Sequence, residues 1–236
     1  MKIIKHLSFS FLTMATLIAT AHASVVMTGT RIIYPAGGHE KIVQLSNRDS
    51  YPNIVQAWID KGEKNSTPGN ADNSFVLTPQ MFRIEPQGGQ IIRMKYVGPK
   101  LPEDRESLFY FNFVQIPSLK TSEQGANKVV LVLDNRVKVF YRPDHLNGNV
   151  NDLGHEIKVK ADGLNSVTIE NPTGYFVNLR RAEMTVNGNK LSFANGAVVA
   201  PKSIQKIELP KGKRTSPLTL KIVDDYGADH SADFTI

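Results

Sequence analysis

The sequence contains no cysteine, so no disulfide can brace it and its stability must come from buried apolar surface. It also lacks a run able to span a bilayer. The mostly apolar stretch from Leu7 to Ala21 falls short of the roughly 18 to 20 residues required, and no later segment is long and apolar enough to replace it. Charge of one sign is scarce too. Lys and Arg exceed Asp and Glu by only 28 to 22 and are scattered along the chain, which disfavours nucleic acid as a partner. A long amphipathic helical period is equally missing. Short β-branched or aromatic runs instead alternate with clusters of Gly, Pro, Asn and Asp, the pattern of an all-β chain.

What is present begins with an export signal. Lys2 and Lys5 precede the apolar stretch, which runs into Ala21-His22-Ala23, so residues 1–23 are read as a secretory signal peptide cleaved before Ser24. The mature protein is then expected outside the cytoplasm and not inserted in a membrane, with 26 basic against 22 acidic residues and a net charge of +4. Its 213 residues exceed the roughly 100 of one immunoglobulin-like sandwich and suit two.

Strand signals fall in two groups. The first comprises Lys41 to Leu45, Ile54 to Ile59, Phe75 to Leu77, Ile91 to Val97, Leu108 to Ile116 and Val129 to Tyr141. Within Ile91 to Val97, Ile92, Met94 and Tyr96 share one face and Arg93 and Lys95 the other. After Arg142-Pro143-Asp144 the pattern restarts with Ile157 to Val159, Val167 to Ile169, Phe176 to Leu179, Met184 to Val186, Ile204 to Leu209, Leu218 to Val223 and Phe234 to Ile236. The boundary is placed near residue 144, giving domains 24–144 and 145–236.

The run from Val129 to Tyr141 departs from this norm, since thirteen extended residues would reach about 43 Å, well beyond a usual strand. Its first five residues, Val129-Val130-Leu131-Val132-Leu133, are apolar on both faces, whereas one-sided packing needs only alternate positions. Either both faces are buried, between sheets or under a loop, or the strand projects and leaves one face open. An open edge of this kind invites pairing with another chain.

The segment Leu101-Pro102-Glu103-Asp104-Arg105-Glu106-Ser107-Leu108-Phe109-Tyr110-Phe111-Asn112-Phe113-Val114-Gln115-Ile116-Pro117 closely resembles the signature of the periplasmic pilus (fimbrial) chaperones. The resemblance continues through Gln56 to Ile59, Arg83 to Pro86, Lys138 to Pro143, Ile169 to Thr173 and Asp225-Tyr226-Gly227, and covers essentially the whole mature chain. It implies two immunoglobulin-like β-sandwich domains in a boomerang arrangement around a cleft. The modest hydrophilic segment Ser118 to Lys128, with no flanking cysteine pair, resembles the short F-to-G loop subclass that includes the P pilus and type 1 pilus chaperones.

The same resemblance implies a function and its residues. The long strand would complete a pilus subunit that lacks its final strand, by donor-strand complementation, with Val129, Leu131 and Leu133 entering the subunit and Val130 and Val132 facing the chaperone. Arg31 and Lys138 would hold the subunit's terminal carboxylate, a task suited to a planar fork and a compact ammonium. Lys138 has the opposite strand parity from Leu131 and Leu133, so anchor and donors point to different sides unless a bulge intervenes. Glu106, Arg142 and Asp225 would form an interdomain ion-pair network, for which Asp224 could compete with its neighbour. Thr78-Pro79 matches a turn that often carries a cis peptide. Expected partners are pilus subunits and an outer-membrane usher, in the periplasm, with no cofactor. The free protein either stays single or caps its own donor strand by self-association.

Catalytic patterns are missing. His39-Glu40 and His155-Glu156 begin like a zinc protease motif, but Val43 and Val159 stand where the second histidine belongs. No Gly-x-Ser-x-Gly elbow occurs. Asp224, Asp225, Asp229 and His230 form a small oxygen-rich cluster that reads as an acidic turn or a cation site. No catalytic residue and no metal site is assigned. The alternative class is a structural or adhesive β-sandwich component of a surface fibre, although a fibre subunit would have about one domain and a donor extension at its amino terminus.

Overall fold

A computed structural model describes residues 24–118 and 131–236, so the signal peptide and Val129 and Val130 lie outside the described residues. The first group of strands is β1 (Val25–Met27), β2 (Ile32–Pro35), β3 (Lys41–Asn47), β4 (Asn53–Asp60), β5 (Phe75–Thr78), β6 (Met81–Ile84), β7 (Gly89–Tyr96), β8 (Ser107–Pro117) and β9 (Leu133–Arg142). They form two sheets ordered β1-β3-β7-β5 and β2-β9-β8-β4-β6. Alternation drives the packing. Val43 and Leu45 of β3 and Ile92 and Met94 of β7 point inward to meet Val55, Phe109, Phe111, Phe113 and Val139 of the other sheet in one buried core, while Arg93 and Lys95 stay exposed.

The second group begins with a single helical turn, α1 (Leu153–Glu156), followed by β10 (Lys158–Ala161), β11 (Ser166–Asn171), β12 (Val177–Val186), β13 (Asn189–Phe193), β14 (Val198–Val199), β15 (Ser203–Glu208), β16 (Leu218–Val223) and β17 (Asp229–Phe234). Its sheets are β10-β11-β15 and β13-β12-β16-β17, with β14 also on β12. A separate core gathers Val167, Ile169, Leu179, Met184, Leu218 and Leu220. The chain is thus all-β with two sandwich domains.

Several boundaries differ from the sequence reading for physical reasons. The two runs expected at Phe176 to Leu179 and Met184 to Val186 belong to one strand, β12, whose pairing with β16 shifts register between Leu179 and Arg181. A bulge absorbs the irregularity that looked like a turn. The last strand starts at Asp229 rather than Phe234, because an edge strand tolerates the polar Asp229, His230 and Ser231. Of the strand expected over Val129 to Tyr141, the described part is paired from Leu133, and it runs on to Arg142. The Thr78–Pro79 peptide is cis.

Both sandwiches share one polar device. In the first, the buried Asn47 carboxamide donates to the carbonyls of Tyr51, Ile84 and Glu85 and accepts from the Asp49 amide and Asn53 Nδ2. In the second, Asn171 donates to the carbonyls of Tyr175, Val199 and Ala200 and accepts from the Thr173 amide and hydroxyl. Each asparagine ends a strand and fastens the following turn to a neighbouring loop. Replacing Asn47 or Asn171 by leucine orphans buried carbonyls, at about 1 to 3 kcal/mol per unsatisfied group. Each variant should lose about 2 to 4 kcal/mol in urea unfolding of the full chain, whereas exposed Asn189 replaced by leucine should change it little.

Candidate functional site

The site is built around β9. Strand β8 pairs with it in unbroken register from Ser107 opposite Tyr141 to Gln115 opposite Leu133. On its other side the parallel strand β2 covers only Val139 to Arg142. From Leu133 to Lys138, therefore, β9 has one strand neighbour and a bare edge among the described residues. Its apolar start is open to solvent, with Leu131 73%, Val132 54% and Leu133 48% exposed. Val132, expected to face the chaperone's own surface, is thus more exposed than that reading required.

Strand parity explains which way the row points. Val137, Val139 and Tyr141 face the first core, and Leu133 and Asn135 stand in the same row. An extended backbone running back from Leu133 would place Leu131 in the same row. No bulge lies between Leu133 and Tyr141, so Lys138 faces the opposite side of β9 from Leu133. The parity difference noted in the sequence is real.

On that opposite side two cations lie together. Ile32 pairs with Val139, which places the preceding Arg31 beside Lys138. Lys138 Nζ donates to Asn178 Oδ1 at 2.9 Å and Arg31 Nη1 to the Val223 carbonyl at 3.1 Å. Their partners are neutral oxygens of the second domain, and Arg31 Nε is buried with no partner. Burial, and then the neighbouring Arg31, pushes the Lys138 amine down to about 8. Burial also lowers Arg31 from its ordinary value, against the opposing pull of Asp225 and Asp224.

Arg142, at the end of β9, joins the domains. Its Nε donates to Glu106 Oε1 at 2.7 Å, and its two terminal nitrogens donate to the Asp225 carboxylate at 2.6 and 2.8 Å. Glu106 reaches across as well, accepting from the Phe176 amide at 2.8 Å. Its own amide donates to the Gly174 carbonyl at 2.8 Å. Burial pushes the Glu106 carboxyl up, with Arg142 acting against that rise. Phe140 and Phe176 pack beside this network with ring centroids 5.7 Å apart. Asp224 does not compete for Arg142. It accepts from the amides of Tyr226 and Ala228 and pairs with His230 Nε2 at 2.9 Å, holding the turn that presents Asp225. Among the described residues no group of three or more His, Asp or Glu side chains is placed to hold a metal ion.

One arrangement escaped the sequence reading. Arg136, on the bare half of β9, donates to both oxygens of buried Asp60 at 2.7 and 2.5 Å and reaches Asn112 Oδ1 at 3.3 Å. Its guanidinium lies 4.1 Å from the centre of the Tyr110 ring. Burial pushes Asp60 up, but hydrogen bonds from the Gly62 amide, Ser66, Asn112 and Arg136 leave its carboxyl below the usual value. The bridge ties β9 across β8 to β4. Alternation of Arg136 with Lys138 on one face was the available signal; Asp60, 76 residues away, was not inferable.

Comparison with known proteins gives a consistent picture. Residues 24–147 match the family model described as pili and flagellar-assembly chaperone, PapD N-terminal domain, and residues 152–234 match pili assembly chaperone PapD, C-terminal domain. The chain is 36% identical over 222 residues to the chaperone protein FimB/FhaD of Bordetella pertussis, covering 91% of this chain and 88% of that one. It is 38% identical over 233 residues to the chaperone protein HifB of Haemophilus influenzae, covering 96% and 94%. The structure of the Salmonella enterica SafB chaperone in complex with the SafA pilin superposes with a TM-score of 0.76 at 26% identity, over 92% of this chain and 99% of that chain.

The Arg142 network yields a direct test. Arg142→Ala strands the Glu106 carboxylate, whose side chain is only 2% exposed, and should cost about 3 to 5 kcal/mol in urea unfolding. Small-angle scattering at low denaturant should show a broader spread of interdomain distances, with both sandwiches retaining their strand circular dichroism.

Proposed function

The chain belongs to the pilus-assembly chaperone family, whose work is not enzymatic, and we propose that it serves in the periplasm, capping pilus subunits by donor-strand complementation and handing them to an outer-membrane usher. The observation that carries this reading is the half-covered strand β9, with a bare edge from Leu133 to Lys138 and an exposed apolar start. An incoming strand edge finds main-chain donors and acceptors there, and Leu131 and Leu133 offer side chains to apolar pockets. Val129 is assigned as the third donor. The SafB–SafA pair, a chaperone holding a pilin, supports the same partner class.

Magnitudes say why donors alone are insufficient. Three aliphatic side chains contribute roughly 5 to 9 kcal/mol on burial, while association costs about 4 to 15 kcal/mol. Ladder hydrogen bonds and an electrostatic anchor must supply the difference. Arg31 and Lys138 are assigned to that anchor, since their present partners are neutral oxygens that a carboxylate outcompetes. Glu106, Arg142 and Asp225 are assigned to fixing the cleft, with domains at 24–144 and 145–236.

Leu131→Glu tests the donor assignment. Its exposure predicts a melting temperature within a few degrees of wild type, because the charge stays in water. Recovery of pilin on a tagged chaperone from periplasmic extract should fall at least about 100-fold, since the complex would bury that charge. Unfolding of the free variant would instead make Leu131 a core residue.

The anchor has a pH signature. Lys138 loses its proton near pH 8 when free, and a bound carboxylate would raise that value. Affinity for pilin should therefore be full below about pH 8 and fall above it, by up to about tenfold per pH unit until the bound amine also deprotonates. Lys138→Arg should flatten the profile in titrations of purified chaperone with pilin. An equally steep fall in that variant would remove Lys138 from the anchor.

A further inference from the structure

Within the core-facing row of β9 one member does not fit. Asn135 stands between Leu133 and Val137, opposite buried Phe113 of β8, and its Nδ2 is shielded from water with no hydrogen-bond partner. A buried carboxamide without an acceptor costs free energy, and a valine or leucine would suit the free protein better. The remaining side of Asn135 is the bare edge of β9, where no strand pairs among the described residues.

Resting on the donor-strand reading, we propose that Asn135 sets the register of the bound subunit: its Nδ2 donates to an oxygen acceptor on the wall of the subunit's groove, and its carboxamide is refused by the apolar pockets that take Leu131 and Leu133. Parity already forbids a slip of one residue, which would turn every donor away. It does not forbid a slip of two. Such a slip, about 6.6 Å along the strand, keeps apolar side chains facing the groove and would be tolerated by a uniformly apolar row. Slipped one way, Asn135 enters a pocket built for an aliphatic side chain. Slipped the other way, it moves off its acceptor and stays unpaired. The Arg31 and Lys138 charges are a blunter ruler, because Coulomb attraction declines gradually with distance, whereas a hydrogen bond is lost within about an ångström. The amide's unmet burial would disfavour slipped complexes by roughly ten- to a hundredfold.

The experiment uses the full chain, tagged and co-expressed with the pilin identified by mass spectrometry as its co-purifying partner. Photo-reactive benzoylphenylalanine replaces Val132, on the face away from the pockets, and the cross-linked pilin residues are mapped. With Asn135 intact, one cluster of pilin residues should be labelled. Asn135→Leu should melt at or above the parent temperature, still recover pilin, and label a second cluster displaced by two residues. Asn135→Ala should show the same second cluster, and Asn135→Ser, which keeps a donor, should restore the single one. A single cluster at undiminished yield in both Asn135→Leu and Asn135→Ala overturns the proposal. So does a loss of folding in both, which would make Asn135 structural. If pilin co-purifies with the parent chain but no cross-link forms from position 132, the donor-strand reading itself fails, a result distinguishable from either.

Discussion

The guanidinium of Arg142 is the group that ties the two domains together. It spends all three of its nitrogens on two carboxylates, one preceding β8 in the first domain and one in the β16–β17 turn of the second. Such a network contributes little net stability, because desolvation offsets most of the attraction. Its effect is directional. The planar fork accepts only a narrow set of carboxylate positions, so the second domain is held where the Val223 carbonyl and Asn178 can meet Arg31 and Lys138. The two cations are thereby pre-oriented by oxygens of the other domain.

The rest of the design divides β9 in two. Its carboxyl-terminal part has a strand on each side and a core beneath it; its amino-terminal part has, among the described residues, β8 as its one strand neighbour, steadied by the Arg136–Asp60 bridge over Tyr110. Because Leu133 lies in the row of Val137 and Val139, a complementing partner would prolong the chaperone's own core instead of making a new interface on the outer face. Arg31 and Lys138 lie on the other face. On the proposed reading, donor and anchor can thus be altered independently.

Much of this was legible where chemistry repeats at strand period. Ile92 and Met94 announced the inward face of β7, and the doubly apolar start of β9 announced an edge problem. The short strands β1, β2 and β6 were not separately read, since three or four residues carry too little alternation. The polar bridges were least legible. Arg136 meets Asp60 through folding alone, and the orphaned amide of Asn135 is visible only once its neighbours are in place. A recurrence was nevertheless available in Asn47-Arg48-Asp49-Ser50-Tyr51 and Asn171-Pro172-Thr173-Gly174-Tyr175, where the same buried asparagine fastens the same kind of turn in both domains.

The bare half of β9 also carries Asp134, Arg136 and Lys138 at every second position. Copies of this strand stacked in register, about 4.8 Å apart, would set each charge directly against its like, which sheets do not tolerate well. Parallel, in-register pairing of a second copy along the open edge is opposed by the strand itself. On the donor-strand reading, a subunit that brings apolar pockets is admitted at an edge that turns a parallel copy of the same strand away.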